Sequence, residues 1–551
     1  MLEDFDPNSI QDENARQAIL RLFDLIEDLA AENRKLREEN QRLRDENNRL
    51  KGEQGKPNIK PSKKALGSQA DYSSERERYK PEPWKKASKA MRIVVNREEV
   101  VPVDPVELPT DAEFKGYEEV VVQDIKVETD NVRFRKEKYY SPAEQRTYVA
   151  GLPAGYEGQF GPGLKAMTLV LYYAINTSEA KIKEFYEHVG IVISAGQISN
   201  LLIKKQDDFH AEKEAVVIAG LRSSPWQHID DTGARVNGVN EHTHVIGNPL
   251  YTAYITHASK DRLAVVEALC NGHDAMFRLD RMTYDWLAQV NLPPMVVDEV
   301  RQWPQDQNLD RQTMEELLAE RLPDLGKQSR QNLLSAAAVS AYHAQPEFPV
   351  PRLLVCDDAD QFKRVTEEVA LCWIHEGRHY KKLDPQVAHN RQKLDDFLKR
   401  FWEYYDELLT YQRQPGPKEA ERLSKVFDAL FSEKTDYYWL DKRIAKTQAK
   451  KERLLMVLKH SEVPLHNNPA EIEVRRRARK RDVSFGPRTQ DGKRAWDTFI
   501  SLAATAKKLN ISFYQYIHDR VTRVRHIPPL AEMIAQQASN RHHLGASWTS
   551  G

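Results

Sequence analysis

Arg352-Leu353-Leu354-Val355-Cys356-Asp357-Asp358 is an apolar run of strand length that closes on two adjacent acids. A short continuous apolar run of this kind reads as a strand buried on both faces. Helical residues follow to Thr366, and Val369-Ala370-Leu371-Cys372-Trp373-Ile374 gives a second buried strand. The rest of the sheet is expected upstream. Trp226 to Asp230 reads as a strand ending at Asp230-Asp231 and Thr232-Gly233, His242 to Ile246 alternates, and Tyr251 to His257 precedes a short helix at 260–269. Three antiparallel strands joined by turns form a natural sheet with an acid at the end of the first. Residues 223–270 and 351–520 then make one α/β domain. It is interrupted by a polar helical insertion at 271–350 and by a second at 385–460, striped by Leu394, Phe397, Phe401 and Tyr404.

A third acid joins the two strand-end pairs. Glu471 closes His466-Asn467-Asn468-Pro469-Ala470-Glu471 and stands just ahead of Arg475, Arg476, Arg477, Arg479, Lys480 and Arg481. Alone it reads more readily as a first-turn helix charge than as an oxygen ligand for a hard cation. With Asp230 and Asp357 on neighbouring strands it could hold two divalent ions, Mg²⁺ or Mn²⁺, as phosphoryl-transfer sites do. Strand-end acids also cap turns, and an acidic pair leaves the register open by one residue, so Asp231 and Asp358 stand as alternates. Cys372 and His375 are an incomplete metal set; they read as a buried strand cysteine and a histidine touching DNA or the carboxylates. Arg378 and the run from Arg475 to Arg481 are expected to face phosphates, which guanidinium groups bind in a fork. The rival reading, a solvated helix face, is the weaker choice for six bases within seven residues.

Outward toward the N-terminus, Leu22, Leu29, Leu36, Leu43 and Leu50 recur every seven residues. With these at d, the a positions hold Ile19, Ile26, Asn33, Asn40 and Asn47, the pattern of a parallel two-stranded coiled coil. Residues 18–50 are therefore expected to form a homodimer. Residues 51–90 are rich in Gly, Pro, Ser and Lys and read as a flexible basic linker. Over 91–160 short alternating runs (Met91 to Val95, Glu118 to Val122, Ile125 to Val127, Val132 to Phe134, Thr147 to Val149) predict a small β-rich unit. It contains no cysteine, so no structural zinc of the thiolate kind is expected. Residues 161–222 read as helical, with a turn feeding a helix over Val189 to Leu202 that suits either a helix-turn-helix or an ordinary helical hairpin. Residues 521–551 are a tail.

The totals bound the class. A chain of 551 residues suggests roughly three or four domains. A net charge of -1 is uninformative, because the bases are clustered. Three cysteines, Cys270, Cys356 and Cys372, make no disulfide framework. The N-terminal acids do not suit a signal peptide, and no apolar window spans a bilayer. A cytoplasmic protein, associated with the nucleoid and not with a membrane, is expected.

In order, these blocks resemble those of a DDE-type transposase, in the large-transposase family of bacterial insertion elements. That family joins an N-terminal leucine zipper, a zinc-finger-like segment, a helical region and a ribonuclease-H-like core. Ile229-Asp230-Asp231-Thr232-Gly233 is similar to its first-aspartate block and Leu354-Val355-Cys356-Asp357-Asp358 to its second. Cys372-Trp373-Ile374-His375 with Arg378 resembles its Cys-Trp-x-His-x-x-Arg block, and Pro464 to Glu471 its Asn-Asn-x-x-Glu block. Thr505-Ala506-Lys507 and Tyr514-Gln515-Tyr516 resemble its close. The chain departs from the family in lacking paired cysteines over 105–145, and in the density of its 475–481 run.

The resemblance implies that Asp230, Asp357 and Glu471 are catalytic and bind two Mg²⁺ or Mn²⁺ ions per site, supported by Cys372, Trp373, His375, Asn467 and Asn468. It implies cleavage at the ends of an insertion element and transfer of the 3′-hydroxyl into target DNA. The partners implied are double-stranded DNA (terminal inverted repeats and target), a homodimer or higher oligomer, and accessory proteins encoded by the same element. Two rivals keep the fold: an inactive DNA-binding relative, which the three acids disfavour, and a structure-specific nuclease. A purely structural coiled-coil protein would not need the acids of the second half.

Overall fold

The computed structural model describes residues 7–50 and 93–543, apart from 105, 107, 110 and 157. The basic linker expected at 51–90, together with Met91 and residues 544–551, lies outside the described residues.

The chain opens with a 38-residue helix, α1 (Glu13–Leu50). A hairpin, β1 (Lys138–Ser141) and β2 (Arg146–Val149), precedes four helices, α2 (Pro162–Leu169), α3 (Glu179–His188), α4 (Ala195–Ile203) and α5 (Asp207–Arg222). Three long strands follow, β3 (Trp226–Val236), β4 (Val239–Asn248) and β5 (Tyr251–His257), then α6 (Arg262–Leu269). The first insertion holds the short strands β6 (Phe277–Arg278) and β7 (Asn308–Leu309) with α7 (Arg281–Gln289), α8 (Pro294–Val300), α9 (Arg311–Arg321) and α10 (Lys327–Ala344). The sheet resumes with β8 (Leu353–Cys356) and β9 (Glu368–Leu371), leading into α11 (Trp373–Lys381). The second insertion is α12 (Ala388–Arg413), α13 (Pro417–Phe431), α14 (Tyr438–Gln448), α15 (Lys451–Leu454) and α16 (Met456–Lys459). The chain closes with α17 (Asn468–Ser484), α18 (Gln490–Lys508), α19 (Phe513–Thr522) and α20 (Leu530–His543).

The central sheet is mixed, in the order β5-β4-β3-β8-β9. β3, β4 and β5 pair antiparallel, while β8 runs parallel to both β3 and β9. Boundaries differ from expectation in several places: β4 runs Val239–Asn248 and not His242 to Ile246, and the helical residues expected up to Thr366 reduce to one turn at Asp360–Phe362. β3 does not stop at the Asp230-Asp231 pair but runs on to Val236, because Asn237-Gly238 makes a two-residue turn into β4 with both residues at positive φ, +49° and +78°. Asn-Gly supplies that turn at little steric cost and matches the twist of the strands. β9 ends at Leu371, and Trp373 and Ile374 begin α11 instead of extending the strand: the Trp373 N–H leaves the sheet for the Leu465 carbonyl.

β5 is a sheet edge, and α18 covers it. The Thr252, Tyr254 and Thr256 N–H groups donate to Thr505 Oγ1, Ser501 Oγ and Asp497 Oδ2, at 3.2, 2.9 and 2.8 Å. Alternate strand residues meet every fourth helix residue, so one helix face satisfies the edge donors that would otherwise invite another strand. Trp373, at the start of α11, is fully buried among Phe401, Tyr404, Phe427 and Phe431 of the second insertion. α11 approaches α12 so closely that a Cβ on Gly377 would meet the Trp402 ring at 2.5 Å.

α1 presents two faces. Leu20, Phe23 and Glu27 are buried, and the Glu27 carboxylate accepts the Gln386 and Val387 N–H groups, capping α12. The heptad leucines Leu22, Leu29, Leu36, Leu43 and Leu50 remain 51–81 % exposed.

The β-rich unit expected over 91–160 reduces to the β1–β2 hairpin. Thr147 to Val149 falls in β2, but Glu118 to Val122, Ile125 to Val127 and Val132 to Phe134 form no strand, and Val120, Val122 and Ile125 are exposed. Alternation alone does not make a strand; a neighbour must supply the ladder, and none of the described residues does so here.

Candidate active site

The register of the two parallel strands sets the geometry. Trp226, Gln227 and His228 pair with Leu353, Leu354 and Val355. Carried two residues further, Asp230 comes level with Asp357 on one face of the sheet, and Asp231 with Asp358 on the other. The two acidic pairs are thereby divided by function of position. Asp230 and Asp357 accept only nearby backbone N–H groups, from Asp231 (2.8 Å) and Ala359 (3.0 Å). Asp231 takes the Gln361 amide (2.8 Å), while Asp358 is held by Lys450 (2.7 Å), Arg453 (3.1 Å) and Lys363 (3.5 Å). Burial alone would raise the Asp358 carboxyl; the Lys450 hydrogen bond and the charges of Lys450, Lys363 and Arg453 overcome it and hold the group below its ordinary value.

Glu471 reaches this face on α17, which runs alongside β3. At its start the Asn467 amide bridges β3, donating to the Ile229 carbonyl (2.9 Å) and contacting His228 Nδ1 (2.9 Å). His228 shares the face of Asp230, so this contact fixes the helix one turn ahead of Glu471. Asn467 therefore does not cap its own helix; its backbone N–H is accepted by Cys372 Sγ (3.2 Å). At the far end, Arg481 donates to the Gly233 carbonyl (2.5 Å), and Gly486, at φ +88°, passes so near β3 that a Cβ would lie 2.0 Å from the Arg235 carbonyl oxygen.

The Glu471 carboxylate is gripped by Arg378, both of whose terminal nitrogens donate at 3.1 Å, and by Arg475 (3.3 Å). His375 Nδ1 lies 3.6 Å away. Burial pushes the Asp230 carboxyl up to about 7; the Asp231 N–H opposes this, and the negative charges of Asp357, Asp231 and Glu471 add to it. The charges of Asp357 and Glu471 thus both reach Asp230, and among the described residues Asp230 and Asp357 have no basic partner. Asp230 and Asp357, oxygen donors without a basic partner, fit a hard divalent cation, whereas Glu471 would have to exchange Arg378 and Arg475 for the ion to join them.

Cys372, His375 and Glu471 also bring one donor atom each within 4.8 Å of one another. The third donor of this set comes from 96 residues away in the chain, beyond the reach of a spacing argument on Cys372 and His375. Burial pushes the Cys372 thiol up to about 12, and its sulfur accepts the Asn467 backbone N–H. Its role is to join the end of β9 to the start of α17.

The basic run is only partly what its composition suggests. Arg475 and Arg479 are exposed and Arg476 is half-buried on Glu473. Arg477 and Lys480 are each 1 % exposed. The Arg477 guanidinium lies over the Trp496 ring (4.5 Å), and Lys480 Nζ donates to the Tyr172 carbonyl (2.5 Å) above that residue's ring. These two bases face the interior and cannot meet a phosphate, because the 3.6-residue period turns them toward α18 and away from solvent. Trp373 is likewise core, its indole N–H donating to the Leu454 carbonyl (2.8 Å). His228, Gln361, Lys450 and Arg453 are the site neighbours the sequence did not flag.

Residues 296–495 match the family described as "Transposase IS66 family". The chain is also 33 % identical over 321 residues to "Uncharacterized protein y4jO" of Sinorhizobium fredii (strain NBRC 101917 / NGR234), an alignment covering 58 % of this chain and 99 % of that protein. No helix among the described residues is long and apolar enough to cross a membrane.

Proposed function

The chain belongs to the IS66 transposase family, and from that premise we propose that it is a DDE-type transposase with a ribonuclease-H-like core. In this reading it cuts DNA at the ends of its element and joins the freed 3′-hydroxyl to target DNA. The observation that carries the reading is that Asp230 and Asp357 come level on adjacent parallel strands, with Glu471 near enough that its charge and that of Asp357 add to the burial that raises the Asp230 carboxyl to about 7. A sheet of three antiparallel strands continued by two parallel ones supports the core assignment.

Asp230, Asp357 and Glu471 would hold two Mg²⁺ or Mn²⁺ ions. Bound there, the ions activate the attacking oxygen and stabilise the leaving one during in-line phosphoryl transfer. In the first step water attacks the phosphodiester, the P–O3′ bond breaks, and the 3′ oxygen leaves as a hydroxyl. In the second that hydroxyl attacks a target phosphodiester, forming one P–O bond as another breaks. Arg378 holds Glu471 in place through a two-pronged contact, and its guanidinium suits a phosphate equally well. Asp358, neutralised by Lys450 and Arg453, anchors the strand end beside Asp357 and is not itself a ligand. The exposed heptad leucines of α1 would pair two copies, and a symmetric dimer matches inverted-repeat ends. Element-encoded accessory proteins and association with the nucleoid belong to the same reading.

The test is cleavage and joining of a labelled duplex carrying the element's own end, with Mg²⁺ or Mn²⁺, comparing the wild type with Glu471→Gln. The expected result is metal-dependent 3′-hydroxyl formation and joining in the wild type. Both should fall by about 10³-fold in the variant, on the order of 4 kcal/mol of transition-state stabilisation, while DNA binding survives. An undiminished variant would remove Glu471 from the site.

A further inference from the structure

A cavity of about 650 Å³ opens beside Asp357, between α11 on one side and α14 with α15 on the other. Its bases are of two kinds. In the depth, Glu376 is 3 % exposed and is ion-paired with Arg443 and with Lys450 (3.1 Å), while Lys450 and Arg453 also hold Asp358. These cations are matched by buried acids and fasten the second insertion to the sheet. At the rim, Lys382 at the end of α11 and Lys446 in α14 are exposed and carry no acidic partner among the described residues. The unmatched positive charge of the cavity therefore sits on its two exposed lysines, in the same cavity that Asp357 lines. A larger cavity of about 1070 Å³ lies against Trp286 and Lys459. Acids equal or outnumber bases along its wall, so it offers an anion no such excess.

We propose that the cavity between α11 and α14 is the channel for the DNA backbone flanking the reacting phosphate, with Lys382 and Lys446 as its phosphate contacts. The proposal rests on the reading of Asp357 as part of the reacting centre and adds the path by which the strand reaches it. Lysines on flexible stems act as point charges that tolerate a shifting phosphate, and contacts of this kind position a strand without reading its bases. The second insertion thereby gains a function: its buried ion pairs hold one wall of a channel whose other wall carries His375 and His379.

The experiment uses the full chain and a Lys382→Ala/Lys446→Ala double variant. Binding of a labelled 30-base-pair duplex of arbitrary sequence, and of a single strand of the same length, is measured without divalent metal across a salt series. Each lost phosphate contact should lower the slope of log Kobs against log salt by about 0.9 on duplex or about 0.7 on single strand. The double variant is expected to lose about twice that on at least one probe, to bind roughly tenfold more weakly at low salt, and to melt with the wild type. Lys382→Arg/Lys446→Arg should restore the slope. An unchanged slope on both probes overturns the proposal, as does a slope that the arginine pair fails to restore. If inorganic phosphate binds in a lysine-dependent way while both slopes stay unchanged, the cavity is a small-anion site and the strand channel is wrong. No cleavage is read, so a protein that never cut DNA could still show the loss of slope, and a protein that cuts could fail to show it.

Discussion

The two halves of α17 lie along the same strand and do opposite things with charge. In the first half Asn467 and Glu471 turn toward His228, Ile229 and Arg378, at the face that carries Asp230. In the second, Arg477 and Lys480 turn inward under Trp496 and Tyr172, away from any solvent path. The inward stripe Ala470, Glu473, Arg477, Lys480 follows i, i+3, i+7, i+10, the spacing of a core face. A dense basic run is therefore not one surface. Its members divide by helical phase into those that can meet a ligand and those that hold the helix to the sheet.

Charge reversal breaks this comparison most severely. Arg477→Glu would bury a second carboxylate near Asp497, which is itself buried and held by Thr256. The expected loss exceeds about 3 kcal/mol, since an uncompensated buried charge costs that much, and the protein should fail to fold or melt far below the wild type. Arg479→Glu, two residues on and exposed, should leave thermal melting unchanged and weaken DNA binding. Equal melting temperatures for the two variants would abolish the division of the run by helical phase.

The first half is tested by Asn467→Ala. That change leaves the Ile229 carbonyl and the His228 ring, both buried, without their partner. A loss of about 2–3 kcal/mol follows from the cost of unsatisfied buried groups. Cleavage should fall further than stability alone explains, because Glu471 loses the anchor one turn behind it. Measuring turnover well below the melting transition separates the two effects. A variant that melts early but cuts at the wild-type rate would show that Arg378 alone positions Glu471.

Much of this frame could be read from the chain. The bounds expected for β5 are those observed, and the apolar run ending at Cys356 does close at Asp357. Asn237-Gly238 is itself a hairpin signal in the sequence, and it carries β3 past the acids to Val236. The failures share a cause: they depend on partners distant in sequence. Nothing near Asp358 announces Lys450 and Arg453, and nothing near Cys372 announces Asn467. The covering of β5 by Asp497, Ser501 and Thr505 needs the strand and the helix together. The runs between Glu118 and Phe134 failed in the converse sense, having the strand pattern but no neighbouring strand among the described residues.

The finest test of the comparison is the protonation of Lys480. Burial pulls its ammonium down to about 7, with Glu179 opposing and Arg477 reinforcing the shift. In the unfolded chain it returns to the ordinary lysine range, near 10.4. Between those values the unfolded state binds more protons than the folded one, so the stability contributed by this residue rises with pH. Below about 7 both states are protonated and the dependence vanishes. From pH 7 to 9 the wild type should therefore gain roughly 2 kcal/mol over Lys480→Met, a variant that keeps the length of the side chain without the charge. Denaturant unfolding of the two proteins across that range gives the difference directly. A flat difference would mean that the Tyr172 ring and carbonyl keep the ammonium charged despite its burial. The second half of α17 would then be a true cation site turned inward, stronger evidence of a structural role than a neutral lysine would be.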